Sequence, residues 1–469
     1  MTHRIDLRGL ADTGPVHFMG VGGAGMFPLA ELMLRSGGRV SCCDMKASPA
    51  LDQLRALGAT VVTGHDAEHV REASALVYTS AIPRDHAELA AGRAAGIPVL
   101  KRSEALGAWV ADGTVVAIAG THGKTTTTAM VTEVLAKSGA DPTGLVGGRV
   151  TEWGGNLRFG SPELFVVEAD EYDRSFLTLR PDVAVITNLE ADHLDIYGDL
   201  DGVRSGFLEF VAGVRGGGRV VVCADDHGAA SLLPGIGPSG YTYGTAAGSM
   251  LRATEVRVTP SATRCVIHEE GAPVGELVLG MGGRHNLLNA LAAAAAGRTL
   301  QVSWDDVFEA LRTFAGVGRR FQVMGDVGGV VVIDDYAHHP TELVSALRAA
   351  RSMFPDRRLV AVFQPHLFSR TRDFAREFGE ALAIADSLWV TDVFPAREAP
   401  IPDVSGETIV EAAGRAGATD VSYVRDVREL PAALAAAARF GDVVMTLGAG
   451  SIETVAPALV QALEEPAHA

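Results

Sequence analysis

The strongest chemical signal in the sequence is a loop whose composition suits phosphate binding. It reads GTHGKTT at residues 120–126 and lies between a β-branched run and a helical segment. Lys124 can neutralise β- and γ-phosphates, and the Thr125 hydroxyl can coordinate Mg²⁺. Position 118 is Ile, so the usual GxxxxGK[ST] spacing is not met and the pattern predicts a compact variant. The predicted ATP contacts in this loop are Gly120, Thr121, His122, Gly123, Lys124, Thr125 and Thr126.

A second glycine-rich loop lies near the N-terminus, in HFMGVGGAGM at residues 17–26. Gly20, Gly22 and Gly25 give the spacing GxGxxG between a strand and a helix, where backbone N–H groups can approach a diphosphate. Asp44 follows a second strand, at the position of a ribose-binding carboxylate. The pattern is equally compatible with NAD binding, and a tight turn that binds no ligand stays an alternative.

Buried parallel strands must position both loops. Short β-branched runs predict strands at 16–19, 115–119, 164–167, 183–187, 220–223, 330–333, 359–363 and 443–447. Helical spacing predicts helices at 28–35, 126–137 and 342–353. Their alternation predicts an α/β chain of βαβ units, and alternating runs at 251–258, 264–268 and 275–279 predict a smaller antiparallel sheet.

Two breaks in this pattern predict three domains in the 469-residue chain. The first break follows Asp112, where a helix-like segment ends and a strand begins, and the second is the glycine and arginine segment GVGRR at 316–320. The predicted domains are therefore 1–112, 113–318 and 319–469.

The composition favours a protein of a reducing compartment. With 40 basic and 57 acidic residues the net charge is −17, which argues against a nucleic-acid partner but not against phosphate ligands. Four cysteines without a CxxC pattern predict a cytoplasmic location. We expect no signal peptide and no membrane association, because residues 1–6 precede no long apolar stretch and no run reaches about 18 apolar residues.

Eight motifs occur in order along the whole chain. They are HFMGVGGAGM (17–26), GTHGKTTTT (120–128), EADEYDRSF (168–176), TNLEADHLD (187–195), RHNLLNALAA (284–293), FAGVGRRF (314–321), DDYAHHPTE (334–342) and FQPHLFSRTR (363–372). On these motifs the sequence resembles the Mur ligase family, and within it the alanine-adding branch.

The resemblance implies an ATP- and Mg²⁺-dependent ligase. Such an enzyme joins the lactyl carboxylate of UDP-N-acetylmuramate to the amine of L-alanine through an acyl phosphate, in the first step of building the peptidoglycan stem peptide. The implied fold has an N-terminal Rossmann-like domain for the UDP part and a central P-loop ATPase domain. A C-terminal Rossmann-like domain closes on ATP and the amino acid. We expect a monomer or a weak homodimer.

The resemblance also implies roles for residues of the first two domains. Thr125 and Glu168 should hold one Mg²⁺, and His193 should help to hold a second. Without the resemblance, Glu168 is as readily an ion-pair partner and His193 a hydrogen-bonded structural histidine. The implied contacts to the nucleotide sugar are Gly20, Gly22, Gly23, Ala24, Gly25, Met26, Asp44, His65 and Ser80.

Further implied nucleotide contacts are His285, Asn286 and Asn289 at the start of an alanine-rich helix, with Arg320 and Asp335 of the third domain. The alternative for Asn286 is helix N-capping.

Around the amino acid and the acyl phosphate the resemblance places Tyr336, His338, His366 and Arg370. Arg370 would clamp the alanine carboxylate, and His338 is a candidate base. The adjacent histidines at 338 and 339 invite a zinc alternative, which no CxxC or HxxxH partner supports. The predicted catalytic residues are Lys124, Glu168, His193, His338 and Arg370.

Three departures and three alternatives complete the sequence-based picture. No lysine follows Lys137, so the carbamylated lysine of many Mur ligases is excluded, as the alanine-adding branch implies. Phe27 stands where that branch usually has serine, and Leu367 where some members have arginine. The competing functions are a ligase for a recycled peptide, an NAD-dependent dehydrogenase and a regulatory nucleotide-binding protein. The dehydrogenase leaves the GTHGKT loop, Glu168 and His193 without a role, and a regulatory protein would not need both anion loops together with the histidines.

Overall fold

Three β-sheets organise the computed structural model, which describes residues 5–23, 25–79, 81–259, 262–396 and 398–464. The chain forms two compact units that meet in sequence near residue 316. The first unit holds two of the sheets and the second unit holds the third.

The first sheet has five parallel strands in the order β3-β2-β1-β4-β5. The strands are β1 (Val16–Met19), β2 (Val40–Asp44), β3 (Thr60–Thr63), β4 (Ala75–Tyr78) and β5 (Val99–Lys101). The helices of this region are α1 (Leu7–Thr13), α2 (Met26–Arg35), α3 (Pro49–Ala56), α4 (Ala87–Ala94) and α5 (Arg102–Val110). The strand order reverses between β1 and β4, so the carboxyl ends of these strands form a crevice of the kind that binds nucleotides.

The second sheet has ten strands in the order β15-β14-β13-β12-β11-β10-β6-β9-β7-β8. The strands are β6 (Thr114–Ala119), β7 (Thr143–Val150), β8 (Gly155–Arg158), β9 (Leu164–Glu168), β10 (Val183–Ile186), β11 (Arg219–Cys223), β12 (Gly240–Gly244), β13 (Leu251–Val258), β14 (Thr263–Glu269) and β15 (Ala272–Leu279). The helices are α6 (Lys124–Lys137), α7 (Leu194–Tyr197), α8 (Leu200–Ala212), α9 (His227–Ala230), α10 (Leu233–Ile236), α11 (Arg284–Thr299) and α12 (Trp304–Thr313).

The third sheet has six strands in the order β16-β17-β21-β18-β19-β20, with β16 antiparallel to β17 and the other pairs parallel. The strands are β16 (Gln322–Val327), β17 (Val330–Asp335), β18 (Leu359–Phe363), β19 (Ser387–Val390), β20 (Val421–Tyr423) and β21 (Val443–Leu447). The helices are α13 (Pro340–Met353), α14 (Phe368–Asp373), α15 (Ala375–Leu382), α16 (Gly406–Arg415), α17 (Leu430–Ala437) and α18 (Val455–Glu464).

Strands of the third sheet are buried on both faces, which explains their continuous apolar runs. On β17, Val331 and Ile333 belong to one hydrophobic cluster, whereas Val330 and Val332 belong to the other. This division follows from the two-residue period of a strand, which sends neighbouring side chains to opposite faces. The residues 330–333 therefore hold helices on both sides of the sheet.

The predicted α/β fold class is confirmed, with β1, β13, β18 and β21 at their predicted bounds. The structure adds that the antiparallel strands β14 and β15 extend the edge of the central sheet instead of standing apart from it. All four cysteines are buried free thiols. Within the described residues, no helix is both long and apolar enough to cross a bilayer.

Candidate active site

The first glycine-rich loop connects the end of β1 to the start of α2. Gly20 has φ +71°, a left-handed conformation that favours glycine. The N–H groups of Gly20 and Val21 donate to the Cys43 carbonyl over 2.9 and 3.2 Å. The Gly22 N–H donates to Asp44 Oδ2 over 2.9 Å. The structure thus places the predicted ribose-binding carboxylate directly against the loop.

The rest of this loop begins helix α2. The Met26 N–H donates to the Gly23 carbonyl over 2.9 Å, and Gly25 is the N-cap residue, which supplies no side-chain cap. The dipole of the helix favours an anion at this end. The predicted contacts Ala24 and Ser80 lie outside the described residues.

His65, the remaining predicted contact to the nucleotide sugar, lies within a buried polar cluster. Its Nδ1 is 3.2 Å from the Cys43 thiol and 3.3 Å from Glu88 Oε2. Its ring stands edge-on to that of His86, with the centroids 5.0 Å apart. The structure therefore joins His65 to Glu88 and to Cys43.

Arg102 is a functional candidate that the sequence motifs missed. With Gly25, Gly147, Glu168 and Asp170 it lines a cavity of about 240 Å³. A Cβ atom at Gly25 would lie 3.1 Å from the Arg102 side chain, a tight contact, so the glycine helps the side chain to approach the loop. The one sequence signal is its position, directly after the carboxyl end of β5.

A larger cavity of about 680 Å³ lies against helix α2. Its lining includes Phe27, Arg35, Arg149 and Arg158. Phe27 thus contributes an aromatic surface at the position where the branch usually has serine. Three glutamates, Glu31, Glu133 and Glu152, also line the cavity and balance the charge of its three guanidinium groups.

The phosphate loop follows β6, in the middle of the central sheet. Gly120 has φ +142°, and a Cβ atom there would lie 2.0 Å from Thr187 Oγ1. Gly123 has φ +80°, and its Cβ atom would lie 2.6 Å from Asn289 Oδ1. Both positions require glycine for backbone conformation and for space. The predicted nucleotide contact Asn289 is therefore packed against the loop, where its Oδ1 also accepts from Thr127 Oγ1 over 3.2 Å.

The segment after β10 braces the same loop. The His122 N–H donates to Asn188 Oδ1 over 2.7 Å, and Asn188 Nδ2 donates to the His122 carbonyl over 3.0 Å. The Thr187 hydroxyl donates to that carbonyl over 2.7 Å, and the Glu190 N–H donates to Thr121 Oγ1 over 2.9 Å. The motif TNLEADHLD therefore fixes the loop conformation, a role the sequence did not reveal.

Lys124 forms a buried ion pair. Its ammonium donates to the carbonyls of Gly120 and Thr121 over 2.7 and 3.1 Å and lies 3.0 and 2.8 Å from Glu171 Oε1 and Oε2. Burial lowers the pKa of Lys124, but the carboxylates of Glu171 and Asp170 outweigh it and raise the pKa above its usual value. Burial raises the pKa of Glu171 to about 7 against the opposing effect of Lys124. The ammonium is thus charged and already paired.

The predicted metal ligands lie around this pair. Thr125 is buried at the start of α6. Glu168 ends β9, next to β6, and its Oε2 accepts from the Gly147 N–H over 2.7 Å. His193 has φ +52° and its Nε2 lies 3.9 Å from Glu171 Oε1. Lys124, Glu171 and His193 therefore form one contiguous polar group.

The alanine-rich helix α11 packs against α6, the helix that the phosphate loop opens. Asn286 and Asn289 are both buried in its first turns. His285 lies next to Arg284, the first residue of the helix. The Arg284 guanidinium is 2.8 Å from Asp225 Oδ2. The predicted helix start and its two asparagines are thus present in the first unit.

In the second unit, Asp335 and Arg320 are near one another at the end of β17. Asp335 accepts from the N–H groups of Phe321 and Ala337, each over 2.7 Å. Burial raises the pKa of Asp335 to about 6, although the Arg320 guanidinium and these N–H groups lower it. The Arg320 guanidinium also lies 5.2 Å from the centre of the Tyr336 ring.

The predicted amino-acid contacts converge on two histidines of the same unit. The rings of His338 and Tyr336 are 5.1 Å apart, and those of His338 and His366 are 5.7 Å apart. Glu342, which the sequence analysis did not single out, accepts from the His338 N–H over 2.9 Å and lies 3.2 Å from His338 Nδ1. Leu367, with φ +69°, follows His366 and precedes helix α14, which carries the buried Arg370.

Three sequence profiles of one family match the chain and follow the order of its three sheets. They are "Mur ligase family, catalytic domain" at residues 15–114, "Mur ligase middle domain" at 118–297 and "Mur ligase, glutamate ligase domain" at 319–450. The chain belongs to the Mur ligase family, a family of ATP-dependent ligases.

Two curated relatives from within this family share one name. A UDP-N-acetylmuramate–L-alanine ligase of Geobacter sulfurreducens is 43% identical over 455 residues, which cover 97% of this chain and 98% of the relative. One of Salinibacter ruber is 44% identical over 450 residues, covering 96% and 95%.

Two solved structures are also similar to this chain. The crystal structure of UDP-N-acetylmuramate-alanine ligase from Thermotoga maritima superposes with a TM-score of 0.81 at 29% identity, covering 96% of this chain and 98% of that chain. A murein peptide ligase from Psychrobacter arcticus gives 0.72 at 25% identity, with the same coverage. The chain is thus more similar to this alanine ligase than to this peptide ligase.

Proposed function

We propose that this protein is an ATP-dependent ligase that joins L-alanine to the lactyl carboxylate of UDP-N-acetylmuramate and releases ADP and phosphate. The observation that carries the proposal is the nearly full-length likeness to alanine ligases of the Mur family, at 43% and 44% identity. The geometry agrees, because the phosphate loop follows the end of β6 and the Glu168 carboxylate lies at the end of the neighbouring strand β9. This step begins the peptide stem of peptidoglycan.

The chemistry explains why the site needs cations. A carboxylate oxygen is a poor leaving group, so the amine cannot displace it at neutral pH. Transfer of the γ-phosphoryl group to the carboxylate forms an acyl phosphate, which the amine attacks, and the tetrahedral intermediate expels phosphate. Two anions must meet in the first transfer, so positive charge has to be positioned in advance.

The central domain provides the phosphate site in this proposal. The backbone N–H groups at the start of α6 would bind the β-phosphate, and Lys124 would leave Glu171 to neutralise the β- and γ-phosphates. Thr125 and Glu168 would hold Mg²⁺, since hydroxyl and carboxylate oxygens are the donors that this ion prefers. Bound there, Mg²⁺ would neutralise charge that develops on the phosphates. His193, close to Glu171, is the proposed second metal position.

The nucleotide sugar would use the first loop. We propose that its diphosphate binds at the start of α2 and that Asp44 accepts from a ribose hydroxyl. Arg102 lines the small cavity with both Gly25 and Glu168, so it is positioned to hold an anionic group of the substrate.

The C-terminal domain enters the proposal through its polar residues. Arg320 and Asp335 would contact the nucleotide, with His285, Asn286 and Asn289 of the central domain. Arg370 would bind the alanine carboxylate in the bidentate manner of a guanidinium. His338, whose Nδ1 lies 3.2 Å from Glu342, would accept a proton from the amine. The proposed domains are 1–112, 113–318 and 319–469, in a cytoplasmic monomer or weak dimer.

The test is phosphate release by the purified protein with ATP and Mg²⁺, with UDP-N-acetylmuramate or L-alanine omitted in turn. We expect release only when both are present, together with an amide product of matching mass. Release that needs neither substrate would overturn the proposal. Release with a peptide in place of alanine would assign the protein to the sister activity of recycled-peptide ligation.

A further inference from the structure

Four buried side chains of the first sheet have the composition of a metal site. They are His17, Cys43, His69 and Glu88, and each offers one ligand atom within 4.8 Å of the other three. We name them the His17–Glu88 cluster. Three of the four are at most 1% exposed, and His69 is 16% exposed at its side chain. The proposed ligase chemistry uses none of these side chains.

The fold itself builds this cluster. In the parallel pairing of β1 with β2, His17 is opposite Ser41 and Met19 is opposite Cys43. Because side chains alternate along a strand, His17 and Cys43 emerge on the same face of the sheet. His69 comes from a short 3₁₀ segment, Ala67–Val70, and Glu88 from the first turn of α4. Four separate elements thus converge on one point.

Neighbouring groups orient the ligands as they do in metal sites. His17 Nδ1 is 2.9 Å from Ser41 Oγ, which leaves Nε2 to face the cluster. The Asp66 N–H donates to Glu88 Oε1 over 2.7 Å, and Glu88 Oε2 lies 3.5 Å from the Cys43 thiol. His69 Nδ1 is 2.9 Å from Glu88 Oε1.

The buried Nε2 of His17 has no hydrogen-bond partner among the residues that the structure describes. Where His17 Nδ1 donates to Ser41 Oγ, Nε2 presents a lone pair to a ligand. An unsatisfied buried nitrogen of this kind costs free energy unless a ligand uses it.

We propose that the His17–Glu88 cluster binds a single Zn²⁺ ion, through Cys43 Sγ, His17 Nε2, a ring nitrogen of His69 and a Glu88 oxygen. Nitrogen, sulfur and carboxylate donors are those of tetrahedral zinc. Bonds of about 2.0–2.3 Å hold tetrahedral ligand atoms roughly 3.3–3.8 Å apart, so small side-chain rotations suffice. One thiolate, one carboxylate and two neutral imidazoles balance the charge of the ion, as burial requires.

The site would be structural and would support the first glycine-rich loop. The Cys43 carbonyl accepts from the N–H groups of Gly20 and Val21. An ion bound to the Cys43 thiolate would therefore fix the end of β2, to which the first glycine-rich loop is hydrogen-bonded. His65, whose Nδ1 lies 3.2 Å from the Cys43 sulfur, would donate to the bound thiolate. Four protein ligands leave no open position, which distinguishes this site from a catalytic one.

Cobalt substitution of the full-length protein tests the site. Co²⁺ occupies zinc sites, and a cysteine ligand gives a thiolate-to-cobalt charge-transfer band in the near ultraviolet. Excess Mg²⁺ is present throughout, so that ions at the proposed phosphate site do not contribute, and oxygen donors there give no such band. We expect the band to saturate at one equivalent of Co²⁺ and to disappear when Zn²⁺ is added.

Two neighbouring cysteines provide a matched pair of variants. Cys42 and Cys43 are adjacent on β2 and equally buried, but alternation places them on opposite faces of the sheet. Cys43→Ser should abolish the band, whereas Cys42→Ser should keep it. His69→Gln should weaken binding of Zn²⁺ at least tenfold, and it provides the decisive comparison if Cys43→Ser does not fold. No band in the folded wild-type protein, or a band and affinity unchanged by Cys43→Ser or His69→Gln, would overturn the site whether or not the protein is an alanine ligase.

Discussion

The two glycine-rich loops have the same topology but different electrostatics. Each follows a buried strand of a parallel sheet and begins a helix, α2 or α6. Residues 20–26 of the first loop contain no lysine or arginine, and its described side-chain contact is the carboxylate of Asp44. The second loop contains Lys124, and its ammonium is bound by two loop carbonyls and by Glu171.

This difference indicates how each loop would accept an anion. The first loop contains no cation of its own, and the cation that lines a cavity with it is Arg102, which directly follows strand β5. The second loop contains its own cation, Lys124. Its ammonium must leave the Glu171 carboxylate in order to bind a phosphate. An anion that binds at the first loop would therefore displace no carboxylate from a cation. A phosphate that binds at the second loop would replace the Glu171 carboxylate beside Lys124. Four substitutions test this difference between the loops.

Lys124→Ala should have the largest effect. Because the variant removes the only cation within the phosphate loop, we expect turnover to fall by roughly 10²–10³-fold or more. The measurement is the rate of phosphate release with both substrates. Lys137→Ala at the far end of the same helix, where the side chain is 44% exposed, should stay near the wild-type rate. Activity within tenfold of wild type in Lys124→Ala would refute the assignment of the loop.

The sequence was sufficient for the backbone of both loops because the cause is local. Gly20, Gly120 and Gly123 have positive φ values, and each follows a strand that its own apolar run predicts. The same local logic predicted Glu168 at the end of β9. Its neighbour β6 brings Ile118 opposite Glu168, so parallel strand ends explain the juxtaposition.

The charge partners could not be read from the sequence. The motif EADEYD carries Glu168, Asp170, Glu171 and Asp173 within six residues, and nothing in their spacing says which one faces Lys124. The structure pairs Glu171 with Lys124, whereas Asp173 lies 2.6 Å from the Lys101 ammonium. These choices depend on the turn after β9, where Asp173 has φ +53°, a conformation that the sequence did not announce.

Arg102→Ala tests whether the first loop depends on a borrowed cation. Loss of a charged hydrogen-bond donor should lower kcat/KM for the nucleotide sugar about 10–100-fold, since such bonds contribute about 1.5–3 kcal/mol. Steady-state kinetics with the nucleotide sugar varied gives the answer. Arg93→Ala on helix α4 serves as the control, because its guanidinium donates to the Arg84 carbonyl at the surface. An unchanged kcat/KM would show that backbone N–H groups are sufficient.

Asp44→Ala should separate the two loops by substrate. Of the two glycine-rich loops, the Asp44 carboxylate contacts only the first, through the Gly22 N–H. We expect the KM for the nucleotide sugar to rise about tenfold, the equivalent of one hydrogen bond to a charged group, and the KM for ATP to stay within about twofold. Asp52→Ala, an exposed member of a pair with Arg55, should change neither constant. Equal increases in both would contradict the placement of the nucleotide sugar.

Glu171→Gln should have the smallest effect and the opposite sign. Glutamine keeps an acceptor for Lys124 but removes the charge that ATP would have to displace. We therefore expect the dissociation constant for ATP, measured by calorimetry without the other substrates, to fall about threefold to tenfold. The variant should also lose roughly 1–3 kcal/mol of stability, because a buried cation loses its counter-charge. ATP should restore more stability to it than to the wild type, since phosphate supplies the missing anion. Glu209→Gln, which removes the partner of Arg174 at the surface, should leave ATP binding unchanged. If Glu171→Gln binds ATP no better than the wild type, the Glu171 carboxylate does not compete with phosphate. Neither loop would then have to release a carboxylate when its anion binds.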